Sequence, residues 1–376
     1  MASVLVHQLV KRFGDVHAVH DVGFKVNDGE FVFFLGPSGC GKTTTLRMIA
    51  GLLMPTSGRI EIGGRNVTFL RPRHRNVGMV FQQNVLYPHM SVADNLAYPL
   101  KVRGFTRAEV REKLGEVAER LRIADVLDRM PDELSGGQSQ RVAIGRMLVR
   151  QADVFLMDEA ISHLDAKLRA HMRTELRHLQ KTLGVTTLFV SHDQLEAMSM
   201  GDRILVMNDG AIQQFGTPQE VFDRPANRFV ASFVGEPHMN ILPAEIRYEG
   251  ARPVARWAGG AMPLPDLPRG LVEGSLVDVG IRPEHVVLAA PGGSDAGHGR
   301  VEALEPLGAE CLVTVQTGGE TLRARLPAVR ADRLGFVVGA MVSLQFPRDH
   351  IYLFDKAGGQ TLLQAGFTEE LRLEAA

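Results

Sequence analysis

The stretch "FVFFLGPSGCGKTTTLRMIAGLL" (Phe31–Leu53) joins a wholly apolar run to a glycine-rich turn and then to a segment that continues as a helix. A short run without polar side chains reads as a strand covered on both faces, the environment of a central parallel strand. Within the turn, Gly36, Gly41, Lys42 and Thr43 fit G-x-x-x-x-G-K-[ST], enclosing Pro37, Ser38, Gly39 and Cys40, with Thr44 next in the helix. The flanking strand and helix are the context this pattern requires. Its glycines let backbone N–H groups wrap phosphates at a helix start whose dipole favours anions. Lys42 is expected to reach the β- and γ-phosphates of a nucleotide, and the Thr43 hydroxyl to ligate Mg²⁺.

Three further apolar runs follow: "VGMVF" (Val77–Phe81), "VFLM" (Val154–Met157) and "TLFV" (Thr187–Val190). Each ends on polar chemistry, respectively Gln82, the pair Asp158 and Glu159, and the pair Ser191 and His192. Ligands of open parallel sheets bind outside the carboxyl ends of the strands, so strands lying side by side would bring these groups to the phosphate loop. The set suits hydrolysis of a phosphoanhydride. Asp158 is expected to hold the metal, Glu159 to orient or deprotonate the attacking water, Gln82 to bridge metal and water, and His192 to donate to the γ-phosphate.

Between the second and third runs lies a helical insertion. "TRAEVREKLGEVAERL" opens on a capping box, Thr106 with Glu109, and repeats apolar residues at Val110, Leu114, Val117 and Leu121. "LSGGQSQRVAIG" (Leu134–Gly145) then offers a second glycine pair at a second helix start. It stands too far along the chain to share the first cradle, and it offers another site for an anion.

Phosphate loop, Gln82, "LSGGQ", "VFLMDE", "SHLDA" and "SHD", in this order, resemble the nucleotide-binding subunit of ABC transporters. The resemblance implies an α/β P-loop NTPase, with a RecA-like core and a helical subdomain at about 88–152. It implies ATP and Mg²⁺, and a homodimer whose copies meet head to tail, each signature loop closing over the ATP of the other. Ser135, Gly136, Gly137 and Gln138 carry that role over. Ser162, His163, Leu164 and Asp165 match the loop that crosses the interface, and Phe13 matches the aromatic that stacks on adenine. "QNVLYPHMSVADNL" (Gln83–Leu96) matches the segment facing the coupling helix of a membrane permease. The chain departs from the family at Ala160, where proline is usual, at His163, where asparagine is usual, and at Ser139, where arginine is usual. Loss of the proline frees a φ angle beside Glu159.

From about Ile241 the pattern changes to short alternating runs broken by glycine and proline: "SLVDVGI", "CLVTVQ", "TLRARL", "MVSLQF" and "IYLF". Gly318–Gly319 between two of them is a hairpin signal. A small β-barrel or sandwich is expected, and "TEELRLEAA" at the end reads as a frayed helix. "GIRPEHV" (Gly280–Val286), "VEALEPLGAECLVTV" and "HIYLFD" resemble the OB-like (TOBE/MOP-type) regulatory domain of bacterial carbohydrate importer ATPases. The expected division is 1–235 for the nucleotide-binding domain and 236–376 for the regulatory domain. The resemblance further implies integral-membrane permease partners, an extracytoplasmic solute-binding protein acting indirectly, and a peripheral place on the cytoplasmic face of the inner membrane. Polyamine, iron and molybdate importers share related tails. A non-transport ABC ATPase and an ATP-binding regulator without turnover are the remaining alternatives.

Bulk properties agree with these expectations. At 376 residues the chain exceeds one core, and a net charge of −1 gives no basic field for nucleic acid. Two cysteines, Cys40 and Cys311, make no disulfide framework and read as reduced thiols. No secretory leader is read at the start of the chain, and no apolar run approaches the roughly 18 residues a spanning helix needs.

Overall fold

The computed structural model describes residues 2–81, 86–150, 152–162, 164–268, 270–291 and 297–364. Backbone contacts divide the chain into two units, Met1–Pro218 and Gln219–Ala376. Gln82, His163 and the expected terminal helix lie outside the described residues.

The first unit runs β1 (Val4–Phe13), β2 (Val16–Val26), β3 (Phe31–Leu35), α1 (Lys42–Ala50), β4 (Ser57–Ile62), β5 (Arg65–Asn66) and β6 (Val77–Val80). The helices α2 (Val92–Val102), α3 (Arg107–Arg120) and α4 (Gly136–Leu148) follow, then β7 (Val154–Asp158), α5 (Ala166–Leu183), β8 (Thr186–Val190), α6 (Gln194–Met200), β9 (Arg203–Asn208) and β10 (Ala211–Gly216). Its main sheet has the order β10-β9-β3-β8-β7-β6. The five strands from β9 to β6 are parallel, and β10 closes one edge antiparallel. All five residues of β3 are buried, as the apolar run implied. Phe31, Phe33 and Phe189 stack on one face with centroid spacings of 4.9 Å along the row, while Val32 and Phe34 join the core on the other. Each fully buried aromatic contributes about 1.5–3 kcal/mol.

Beside the parallel sheet stands a feature the apolar runs did not announce, a four-stranded antiparallel sheet in the order β2-β1-β4-β5. Val22, Phe24 and Val26 point inward from β2 with exposed residues between them, the period of a half-covered antiparallel strand. Leu46, Met48, Ile49 and Ala50 of α1 share one core with these side chains and with Val32, Phe34, Leu156 and Val190 of the parallel sheet. The phosphate loop and its helix are thereby enclosed by two sheets.

The second unit is all-β apart from short helices. The division falls at the start of α7 (Pro218–Asp223), after which come α8 (Arg228–Phe233), β11 (Asn240–Glu249), β12 (Arg252–Trp257), β13 (Gly260–Pro263), β14 (Leu276–Ile281), β15 (Val287–Ala289), β16 (Gly297–Pro306), β17 (Glu310–Thr317), β18 (Glu320–Pro327), α9 (Ala328–Leu334), β19 (Met341–Gln345), β20 (Ile351–Asp355) and β21 (Thr361–Leu363). They form one antiparallel system of 11 strands around a core that includes Ile246, Trp257, Val279, Val313, Leu344 and Leu353. Gly318 and Gly319 turn the β17–β18 hairpin with φ of +59° and +86°, the two positive angles a type I′ turn demands. Arg282 of "GIRPEHV" is buried. Its guanidinium stacks 3.5 Å from the Phe222 ring centroid and donates to the carbonyls of Val234 and Phe222, so it anchors the helical entry of this unit.

Candidate nucleotide site

The parallel sheet places β3, β8, β7 and β6 next to one another, so their carboxyl ends open on one edge. From β3 the chain passes into the glycine-rich loop. Here glycine is required twice by sterics: a Cβ on Gly36 would fall 2.2 Å from the Met207 carbonyl oxygen, and one on Gly41 2.6 Å from that of Ala18. Gly41 has φ +101° and caps α1 without any side-chain acceptor, which leaves the first N–H groups of the helix facing outward for an anion. Lys42 is 4% exposed, and its ammonium donates to the carbonyls of Gly36 at 2.7 Å and Pro37 at 2.8 Å. Cys40 is buried within 3.7 Å of that ammonium, and burial pushes its thiol pKa up.

Thr43 donates its hydroxyl to Asp158 Oδ1 at 2.8 Å across the gap between α1 and β7. Burial raises the Asp158 pKa above the usual carboxylate range, opposed by the Thr43 hydrogen bond and by Arg47. Arg47, one helical turn past Thr43, brings Nη2 to 4.0 Å from Asp158 Oδ2. Sequence reading passed over Arg47, although the i, i+4 spacing from Thr43 puts both on one helix face. Two hard oxygen donors in contact, a hydroxyl and a carboxylate, form a donor set that suits Mg²⁺.

Glu159 follows on the next residue with φ +49°. Its N–H donates to Val190 O at 2.9 Å, and its carbonyl accepts from the Ser162 hydroxyl at 2.9 Å, so hydrogen bonds hold the turn that carries Ala160 in place of proline. His192 Nε2 donates to Glu159 Oε1 at 2.8 Å. A cleft of about 280 Å³ is lined by Ser38, Gly39, Gly41, Lys42, Thr43, Thr44, Glu159 and His192. The groups read from three separate apolar runs therefore meet in one place. Phe13 is half exposed at the end of β1, with the Lys11 ammonium 4.9 Å from its ring centroid. It belongs to the β1–β2 hairpin, whose residue Ala18 backs the loop at Gly41.

Ser135–Gln138 stand elsewhere. Among the described residues, none of the four lines the cleft. Ser135 caps α4, accepting from Gln138 N at 3.3 Å, while Gln138 Oε1 accepts from Ser135 N at 2.9 Å. Gly136 is open on its Cβ side, whereas a Cβ on Gly137 would meet Leu168 Cδ2 at 2.4 Å. Of the residues matched in sequence to an interface loop, Leu164 is buried, and Asp165 caps α5 through Leu168 N at 2.9 Å.

A second groove, of about 580 Å³, lies between the helical insertion and β6. Phe81, Tyr87, Tyr98, Pro99 and Val102 give it an apolar lining, and Arg73, Arg103, Arg146 and Arg150 a basic one. Tyr87 packs edge-on to Tyr98 at 5.1 Å, beneath the Arg146 guanidinium at 4.4 Å. Among the described residues, no helix is long and apolar enough to cross a membrane.

Comparison with known proteins agrees with this geometry. Residues 19–162 match the ABC transporter family and residues 279–354 the TOBE domain. The trehalose/maltose import ATP-binding protein of Thermococcus litoralis is 47% identical, covering 96% of this chain and 100% of the relative. The sn-glycerol-3-phosphate import ATP-binding protein of Ruegeria sp. is 45% identical, covering 97% and 100%. Among solved structures, the ATP-binding cassette MJ0796, a dimer in a post-hydrolysis state with ADP and phosphate, superposes with a TM-score of 0.53 at 30% identity, over 57% of this chain and 98% of that one.

Proposed function

The chain belongs to the ATP-binding subunits of ABC transporters, and on that premise we propose that it is the motor of a solute importer, hydrolysing ATP in the cleft between the phosphate loop and the Glu159–His192 pair. The observation that carries the proposal is the convergence of Lys42, Thr43, Asp158, Glu159 and His192 at the ends of adjacent strands. The loop N–H groups from Gly39 to Thr44 and the Lys42 ammonium bind the β- and γ-phosphates. Thr43 and Asp158 would hold Mg²⁺, with Gln82 the further donor the family pattern supplies, and the ion would supply charge neutralisation at the phosphate oxygens. Glu159 accepts the proton of the attacking water. His192 turns the Nε2–H that rests on Glu159 Oε1 at 2.8 Å to the γ-phosphate as charge develops, which also frees the carboxylate. Phe13 stacks on the adenine.

Each site is completed by a second copy, whose Ser135, Gly136, Gly137 and Gln138 close over the γ-phosphate while Ser162–Asp165 cross the interface. The proposed division is 1–235 for the nucleotide-binding domain, with its helical subdomain at about 88–152, and 236–376 for the OB-like regulatory domain; by backbone contacts alone, 219–235 group with the second unit. In this reading a cytoplasmic helix of the permease docks in the groove around Tyr87, whose apolar and basic lining supports the assignment, and the chain works peripherally on the cytoplasmic face of the inner membrane. An extracytoplasmic binding protein delivers the solute, of the sugar or glycerol-phosphate class that the relatives import. Glu159→Gln tests the core of this reading. It is expected to bind ATP with wild-type affinity and to lose at least about 100-fold in kcat, the usual worth of a general base. An undiminished rate of phosphate release would overturn the assignment.

A further inference from the structure

One side chain outside every motif ties the interface loop to the turn that carries His192. Arg169 lies on α5, one turn past the Asp165 cap. Its Nη2 donates to Ser162 O at 3.0 Å and to Leu164 O at 2.9 Å, and its Nη1 lies 3.6 Å from Asp193 Oδ2. Asp193 follows His192 directly and caps α6, its Oδ1 accepting from Leu195 N at 2.8 Å and Glu196 N at 3.3 Å. On the other side of His192, the Ser191 hydroxyl accepts from Asp193 N at 2.9 Å and donates to buried Glu196 at 2.5 Å. Arg169 and Arg173, successive turns of α5, both face Glu196 electrostatically. Ser162 reaches back to the Glu159 carbonyl at 2.9 Å. The interface loop and the histidine turn thus meet at one guanidinium, and the Ser162 hydroxyl links that loop to the backbone of Glu159.

We propose that Arg169 is a positioning residue: it ties the Ser162 and Leu164 carbonyls to the Ser191–Asp193 turn, so that these residues, offered to a second copy, and the histidine facing the γ-phosphate move as one body. The proposal rests on the function assigned above to Glu159, His192 and the interface loop. Arginine is suited to this by shape. One nitrogen of its planar fork spans two carbonyls while the other faces a carboxylate, an arrangement the point charge of lysine cannot reproduce. The ion pair is too exposed, at 30% and 29%, to matter much for stability, since such pairs contribute about 0–1 kcal/mol. Geometry is what the contact supplies.

The test uses the full chain with Mg-ATP and the variants Arg169→Met, Arg169→Lys, Asp193→Asn and the Arg169→Met/Asp193→Asn pair. Asparagine keeps the α6 cap while removing the charge. Nucleotide affinity, read with a fluorescent ATP analogue, is expected to stay within about twofold, because the cleft lining is untouched. The kcat of Arg169→Met is expected to fall at least about tenfold, and its Hill coefficient for ATP to drop from about 2 toward 1. Arg169→Lys is expected to regain less than about a third of the wild-type rate. The double variant is expected to fall no further than the worse single one, since both break the same tie. A kcat within about twofold of wild type in either Arg169 variant, or losses that multiply in the pair, overturns the proposal. Should Arg169→Met fail to fold, Arg169→Lys decides by the same criterion. Glu159→Gln run alongside separates the two levels: turnover surviving there sinks the hydrolytic assignment itself, whereas turnover lost there but intact in the Arg169 variants sinks only the tie.

Discussion

Asp158 shows a functional site held at the expense of stability. Its carboxylate is 3% exposed, and its pKa is raised chiefly because burial disfavours the charged form. A carboxyl whose folded pKa exceeds its unfolded one binds more protons folded than unfolded in the window between them. Stability from this group therefore falls as pH rises through that window, and the charged side chain is a net burden at neutral pH. Asp158→Asn keeps the acceptor for Thr43 and removes the charge. The nucleotide-free chain is expected to gain in thermal midpoint at neutral pH and to lose Mg²⁺-dependent hydrolysis. Melting curves from mildly acid to neutral pH check this, because the decline with pH attributable to this carboxyl should vanish in the variant. A lower midpoint at neutral pH would show that Arg47, 4.0 Å away, outweighs the burial.

At the level of elements, the proposed trans role and the cap of α4 fall on one hydroxyl. Ser135 caps its own helix through Gln138, and it is the group we propose faces a second copy's nucleotide. The two roles separate by substitution. Ser135→Ala removes the cap and is expected to cost about 0.5–2 kcal/mol, whereas Ser135→Asp retains the cap within about 0.5 kcal/mol. Both should abolish ATP-driven dimerisation, the aspartate through repulsion of phosphate. Thermal melts beside light scattering with ATP in a Glu159→Gln background read the two effects independently, and dimerisation by Ser135→Asp would refute the trans role. Elements also differed in how plainly they could be read. The phosphate loop stood out because Gly36, Gly41, Lys42 and Thr43 are demanded at fixed spacing by backbone and charge. β1 did not, because its register slips between Val6 and Leu9, where Gln8 takes φ +43°, and that break interrupts the alternation a strand search relies on. Arg169 was unreadable for another reason: its partners are main-chain carbonyls and an aspartate 24 positions away, and neither leaves a pattern in neighbouring residues.

For the whole molecule, the question is how hydrolysis in one cleft becomes work on a membrane partner. The helical insertion carries both α4, which opens on Ser135–Gln138, and one wall of the Tyr87 groove, since Ala143, Arg146 and Met147 of α4 line that groove. If the first turn of α4 engages a second copy's nucleotide as proposed, its displacement reaches the groove within the length of a single helix. The lining suits an amphipathic helix with acidic residues: aromatic and aliphatic side chains for its apolar face, and Arg73, Arg103, Arg146 and Arg150 for its charges. Val102 offers the cleanest probe, because it is 69% exposed and its replacement disturbs little packing. Val102→Asp is expected to leave the thermal midpoint within about 2 °C, since surface substitutions usually stay within about 0.5 kcal/mol. The carboxylate added at the groove should compete for its arginines and repel the acidic residues of the partner, weakening co-purification with the permease and cutting permease-stimulated turnover at least about tenfold, because like charges brought together at an interface cost several kcal/mol. Reconstituted vesicles carrying the permease, assayed with and without transported solute, measure that loss. Stimulation equal to wild type would place the docking surface elsewhere on the molecule.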